Sequence, residues 1–95
     1  MGILEAFHGT HTAAVRAGYR AIDWSLPALR CDRVRVRAHT CECGEVLFEF
    51  CLAGGLSFIR RTVRHGEGVV VHESDWFVTR VVERLWEQLL RGEAR

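Results

Sequence analysis

Lysine is absent from this chain of 95 residues, so all thirteen positive charges are arginine. Proline occurs once, at Pro27, and no low-complexity stretch or Gly-X-Y period is present, which excludes a disordered tail and a collagenous chain. No apolar run approaches the ~18–20 residues of a membrane span. The amino end, MGILEAFHGTHTAAVR, has no basic stretch leading into a long apolar one, so no secretory signal is expected and a cytoplasmic address is. In that compartment the four cysteines are not expected to form a disulfide framework. Catalytic motifs are also missing. No Ser or Cys sits in a nucleophile elbow, and no glycine-rich phosphate loop runs into a helix. A non-enzymatic protein with no cofactor and no small-molecule substrate is the expectation.

The chain does have the composition of one folded domain over residues 1–95, at 48 % apolar and 26 % charged. At this length folding buries roughly 60–65 % of the unfolded surface, enough for a core without staples. The net charge of +1 is too small to drive non-specific nucleic-acid binding. Its distribution is uneven. Residues 30–64 hold seven arginines against four acids, whereas residues 65–95 hold four against six. The dipole could steer an anionic partner or align two copies, and an ordinary mixed surface would look the same.

Hydrophobic periodicity places the elements. Residues 1–12 read as a loose arm. Residues 13–23 carry Val15, Tyr19 and Ile22 at helical spacing and predict a short N-terminal helix, weakened by Gly18. Residues 33–39 alternate strictly, with Val34, Val36 and Ala38 on one face and Arg33, Arg35, Arg37 and His39 on the other. Residues 45–52 form a second strand with Val46, Phe48 and Phe50 inward. Gly54-Gly55 turns the chain into a third strand over 56–65, and Gly66-Glu67-Gly68 into a fourth over 69–73. A helix capped by Ser74 or Asp75 runs to about Arg91 and ends at Gly92. The expected fold is α+β: a three- to four-stranded antiparallel meander packed by a long C-terminal helix, with the short N-terminal helix in front.

The C-terminal helix is apolar over about 220° of its circumference, roughly twice what covering one sheet requires. Its excess flank, Phe77, Val81, Trp86 and Leu90, is the expected interface of a symmetric homodimer. Trp76 falls on the polar side of the wheel, where it is a lid over the sheet edge or an exposed anchor. Arg33, Arg35, Arg37, Arg60 and Arg61 are the candidate binding residues. On one sheet face they would suit a protein partner or a DNA major groove. Cross-strand pairing with Glu45 and Glu49 is the plainer alternative. Cys41-Glu42-Cys43-Gly44 resembles half of a zinc knuckle, whose completion would need Cys31, His39, Cys51 or a distant histidine. His8-Gly-Thr-His11 has ligand-like spacing but lies in the arm. No second cysteine pair exists, so no metal is expected, and Cys51 reads as a small core residue.

Residues 48–62, Phe-Glu-Phe-Cys-Leu-Ala-Gly-Gly-Leu-Ser-Phe-Ile-Arg-Arg-Thr, together with Trp86-Glu87-Gln88-Leu89-Leu90, resemble the BldB-type small developmental regulators of filamentous actinobacteria. The likeness spans residues 41–92 and leaves the first forty uncovered. It implies a bacterial, non-enzymatic, self-associating cytoplasmic protein in developmental or transcriptional control, acting on a regulatory protein partner or on DNA. With the near-zero net charge, a homodimer with a protein partner is the favoured expectation. DNA binding through the arginine face comes second and a zinc-stabilised interaction module third.

Overall fold

Alternating apolar residues in the middle of the chain build an antiparallel meander, in which each strand pairs with its sequence neighbour. The computed structural model describes residues 10–27 and 33–95. Strands β1 (Arg35–His39), β2 (Val46–Ala53), β3 (Leu56–His65) and β4 (Gly68–Glu73) form one sheet in the order β1-β2-β3-β4. Helix α1 (Thr79–Leu90) packs on β2 and β3. Gly54 and Gly55, with φ of 57° and 79°, make the two-residue turn that sets Ala53 opposite Leu56 and fixes the register of the central pair.

That register sorts the side chains. Phe48, Phe50 and Ile59 lie on the face beneath the helix, where they meet Val82, Leu85, Trp86 and Leu89 in the main core. Trp86 meets Phe50 edge-on, with ring centroids 5.9 Å apart. Cys51, Ala53 and Phe58 face the other side, and Trp76 lies flat on Phe58 with centroids 4.5 Å apart. The indole Nε1–H of Trp76 donates to Glu73 Oε1 at 3.1 Å, so Trp76 is a lid on the second face.

Three expectations are corrected. First, no helix forms over 13–23. This stretch is an extended strap along the helix C-terminus: the N–H groups of Ala13, Arg16 and Arg20 donate to the carbonyls of Leu90, Gly92 and Glu93. Gly18, at φ 73°, turns the strap, and Val15 and Tyr19 remain exposed. An isolated helix this short is marginal, and bonds to groups left open by α1 outcompete it. Second, α1 is short, at 12 residues, and Val78 precedes it without a side-chain cap. Ser74 does not cap it because its Oγ accepts from the Ile59 N–H at 2.9 Å. Phe77 and Ser57 exchange two backbone hydrogen bonds, which holds 74–78 extended. Third, β1 carries a bulge between Val36 and Ala38. The extra residue moves Val36 opposite Cys51 and swings Arg37 over the Phe50 ring, beneath the helix.

Of the arm expected over 1–12, residues 1–9 lie outside the described residues, while Thr10 is pinned by a parallel bridge to Thr40. Among the described residues no helix is long and apolar enough to cross a membrane.

The helix stops where the sequence puts it. Gly92, at φ 77°, donates to Leu89 O and Glu93 N–H to Gln88 O, the bond pair of a Schellman motif. A Cβ at Gly92 would run into the Ala14 carbonyl of the strap. Gly92→Ala therefore combines left-handed strain with a backbone collision. We expect it to lower unfolding free energy by about 2–4 kcal/mol in urea titration, well beyond the ~1 kcal/mol of an ordinary Gly→Ala change at positive φ.

Candidate functional site

The five candidate arginines do not share a face. Arg60 and Arg61 are consecutive on β3 and project to opposite sides. Arg60 sits directly across from Glu49, and its Nε donates to Glu49 Oε1 at 2.8 Å, the cross-strand pairing the alternation allows. That bond holds Arg60 more firmly protonated than usual, against the effect of its burial. Arg61 lies on the helix side, its guanidinium 4.4 Å from the Trp24 ring centre, and donates to His72 Nδ1 at 3.2 Å. Burial, then the nearby Arg95, lowers its proton affinity, and its Nε is buried with no hydrogen-bond partner among the described residues. Arg37 reaches Glu83 of α1 at 3.0 Å. Arg33 and Arg35 are exposed at the start of the edge strand β1. A groove reader built on all five would need them on one surface, and the geometry sets Arg60 on one face of the sheet and Arg37 and Arg61 on the other.

The stacked cations instead finish the core. Trp24 lies 6.0 Å from Phe48, Arg61 covers Trp24, and Arg95 covers Phe48 at 5.3 Å. The Trp24 Nε1–H donates to the Arg95 carbonyl at 2.9 Å, tying the strap to the chain beyond the helix.

The flank of the helix divides as well. Trp86, only 9 % exposed, belongs to the core, and Leu90 is half-buried against it. Phe77, Val78 and Val81 stay 41, 55 and 44 % exposed. Asp23 and Asp75 line one cleft with Phe77 and Arg20, while Arg20, Arg80 and Arg84 line an open hollow with Val81. The apolar strip thus lies between a pair of carboxylates and a basic hollow, with Arg20 shared by both.

A further cluster forms at the β1–β2 turn. Cys41 is buried and Cys43 exposed, and the Cys43 N–H donates to Cys41 Sγ at 3.4 Å. The Thr10–Thr40 bridge brings His11 beside them, with Nδ1 3.9 Å from Cys43 Sγ. The neighbouring Cys41 raises the proton affinity of Cys43, first through a hydrogen bond and also through charge repulsion. Sequence reasoning noted the cysteine pair and His11 separately. Their meeting depends on a parallel bridge between residues thirty positions apart, for which the local sequence holds no signal. His8 and Cys31, also weighed as ligands, lie outside the described residues. His39 is turned to the Thr40 carbonyl, and Cys51 is in the second core, so neither joins the cluster.

Cys51 is fully buried, and desolvation pushes its thiol up to about 11. Between pH 9 and 11 the unfolded chain has lost this proton and the folded one has kept it. The contribution of Cys51 to stability is therefore present below pH 9 and is lost as pH rises through this window. In native protein stripped of metal by a chelator, at pH 8, iodoacetamide should modify Cys43 and spare Cys51 until denaturant is added, as read by peptide mass spectrometry. Modification of Cys51 as fast as Cys43 would contradict its burial.

Comparison with known protein families, curated proteins and solved structures finds no match for this chain.

Proposed function

We propose that this chain is a small, non-enzymatic regulatory protein of the bacterial cytoplasm, working as a homodimer that binds a protein partner in developmental or transcriptional control. The observation that carries the dimer is the exposed strip of Phe77, Val78 and Val81 beside the start of α1. Three neighbouring apolar side chains left this open are the kind of surface a second subunit covers. The charges around them favour a second copy as that subunit. In an antiparallel two-fold contact, the carboxylates of Asp23 and Asp75 would face Arg80 and Arg84 of the other copy. Trp86 and Leu90 act from behind, by holding the helix on the sheet. Arg35, exposed at the start of the first strand, is placed to meet an acidic segment of the partner. The regulatory role is supported by the resemblance of residues 41–92 to BldB-type proteins.

Sedimentation of the purified chain tests the dimer. The wild type should sediment as a dimer at tens of micromolar, and Val81→Arg as a monomer with unchanged circular dichroism, because Val81 is on the surface. Asp75→Arg should raise the dissociation constant at least tenfold, about 1.4 kcal/mol. Adding Arg84→Asp to that variant should recover most of the loss. A monomeric wild type, or a Val81→Arg protein that remains a dimer, overturns the reading.

A further inference from the structure

The two thiols and the imidazole at the β1–β2 turn have the chemistry and spacing of a metal centre. A ring nitrogen of His11, Cys41 Sγ and Cys43 Sγ all lie within 4.8 Å of one another. In tetrahedral zinc, bonds of about 2.3 Å to sulfur and about 2.0 Å to nitrogen separate the ligand atoms by roughly 3.5–3.8 Å. The 3.9 Å between His11 Nδ1 and Cys43 Sγ is already close to that value. We propose that His11, Cys41 and Cys43 bind one zinc ion per chain, which fastens the N-terminal segment to the sheet.

Four features favour this assignment. The turn after Cys41 returns the chain so that the exposed Cys43 projects beside the buried Cys41, the arrangement two thiolates need to chelate one ion. The Cys43 N–H already points at Cys41 Sγ, and such a bond steadies a thiolate ligand by partly offsetting its charge. The backbone is fixed on both sides: Cys41 N–H donates to Thr10 O at 3.0 Å, and Thr40 N–H to Phe48 O at 2.9 Å. Thr40 Oγ1 also accepts from Phe48 N–H at 2.9 Å, so the turn is tied to the first residues of the main core. The turn that carries the two thiols is therefore anchored to the sheet and to the segment that carries His11.

The donor set selects the ion. Two thiolates and an imidazole are soft to borderline ligands, suited to zinc and poorly suited to magnesium or calcium. Binding displaces the thiol protons to solvent and replaces the repulsion between adjacent thiolates with attraction to a dication. His11 and Thr12 line one cleft with Thr40, Cys41 and Cys43, so the fourth position faces a surface opening where water or another donor can enter. This site is distinct from the strip at Phe77, Val78 and Val81, and its fate does not decide that of the dimer.

The test is native mass spectrometry of protein kept reduced, loaded with zinc and desalted, beside cobalt(II) absorption and competition with a chromophoric chelator. One zinc per chain is expected, and cobalt should show the intense near-ultraviolet charge-transfer band that thiolate ligands produce. Cys43→Ser replaces an exposed side chain and so leaves the fold intact; it should weaken zinc binding at least a hundredfold and diminish the cobalt band. His11→Ala should weaken binding at least tenfold while the band persists. Chelation of the wild type should speed hydrogen exchange at Thr10–Thr12 and have no such effect in Cys43→Ser. Failure of the wild type to compete for zinc, or equal affinity in Cys43→Ser, overturns the site.

Discussion

Everything else in the fold is arranged around burying Phe48, Phe50 and Ile59 beneath a helix too short to cover them all. Twelve helical residues extend about 18 Å, whereas the ten residues of β3 extend roughly 33 Å. Val82, Leu85, Trp86 and Leu89 close the part around Phe50 and Ile59. The remainder, around Phe48, is closed by Trp24 and by two stacked guanidiniums, those of Arg61 and Arg95. An arginine plane can lie on an aromatic ring while its edges remain accessible to water, which suits the margin of a small core. This explains why several arginines are spent on packing rather than on an outside partner.

The same shortage accounts for the strap. Residues 13–20 could not compete as a separate helix, because their apolar face is narrow and interrupted at Gly18. Extended along the end of α1, they satisfy carbonyls beyond the last helical turn, and Arg95 N–H returns a bond to Arg20 O. Gly92 makes room for that close approach. The strap and the Schellman motif are consequently one structure, in which helix termination and docking of the N-terminal segment depend on each other.

The two faces of the sheet have different chemistry. Beneath the helix the contacts are aromatic and aliphatic, with arginine at the margin. On the other side a small cluster of Cys51, Ala53 and Phe58 is roofed by Trp76, beside the Arg60–Glu49 pair. Partly exposed, such a pair contributes modestly to stability, and it agrees with the β2–β3 register that the Gly54-Gly55 turn sets. The thiol–imidazole cluster and the apolar strip at the start of α1 lie outside both cores. The strip is apolar surface that a single chain leaves exposed, and the cluster brings two thiols and an imidazole within reach of one ion. The proposed functional contacts are assigned to them for those reasons.

Local pattern sufficed for the sheet. The period-two alternation of β2 and β3, the glycines at 54, 55 and 66 and the stop at Gly92 determine strands, turns and helix end with little help from distant contacts. The buried Cys51 was legible for the same reason, since a residue's face follows from its parity in a strand, while the Arg60–Glu49 pair falls under the cross-strand alternative that the alternation left open beside a binding face. Tertiary structure decided what parity cannot express. The bulge at Arg37 reverses one side chain because Glu83 and the Phe50 ring are there to receive it. Ser74 and Phe77 are taken from the helix start by bonds to Ile59 and Ser57, far off in sequence. His11 reaches Cys41 and Cys43 only through the Thr10–Thr40 bridge. Periodicity reports which way a residue faces within its own element, while these outcomes depend on free energies of contacts between elements, which no local window contains.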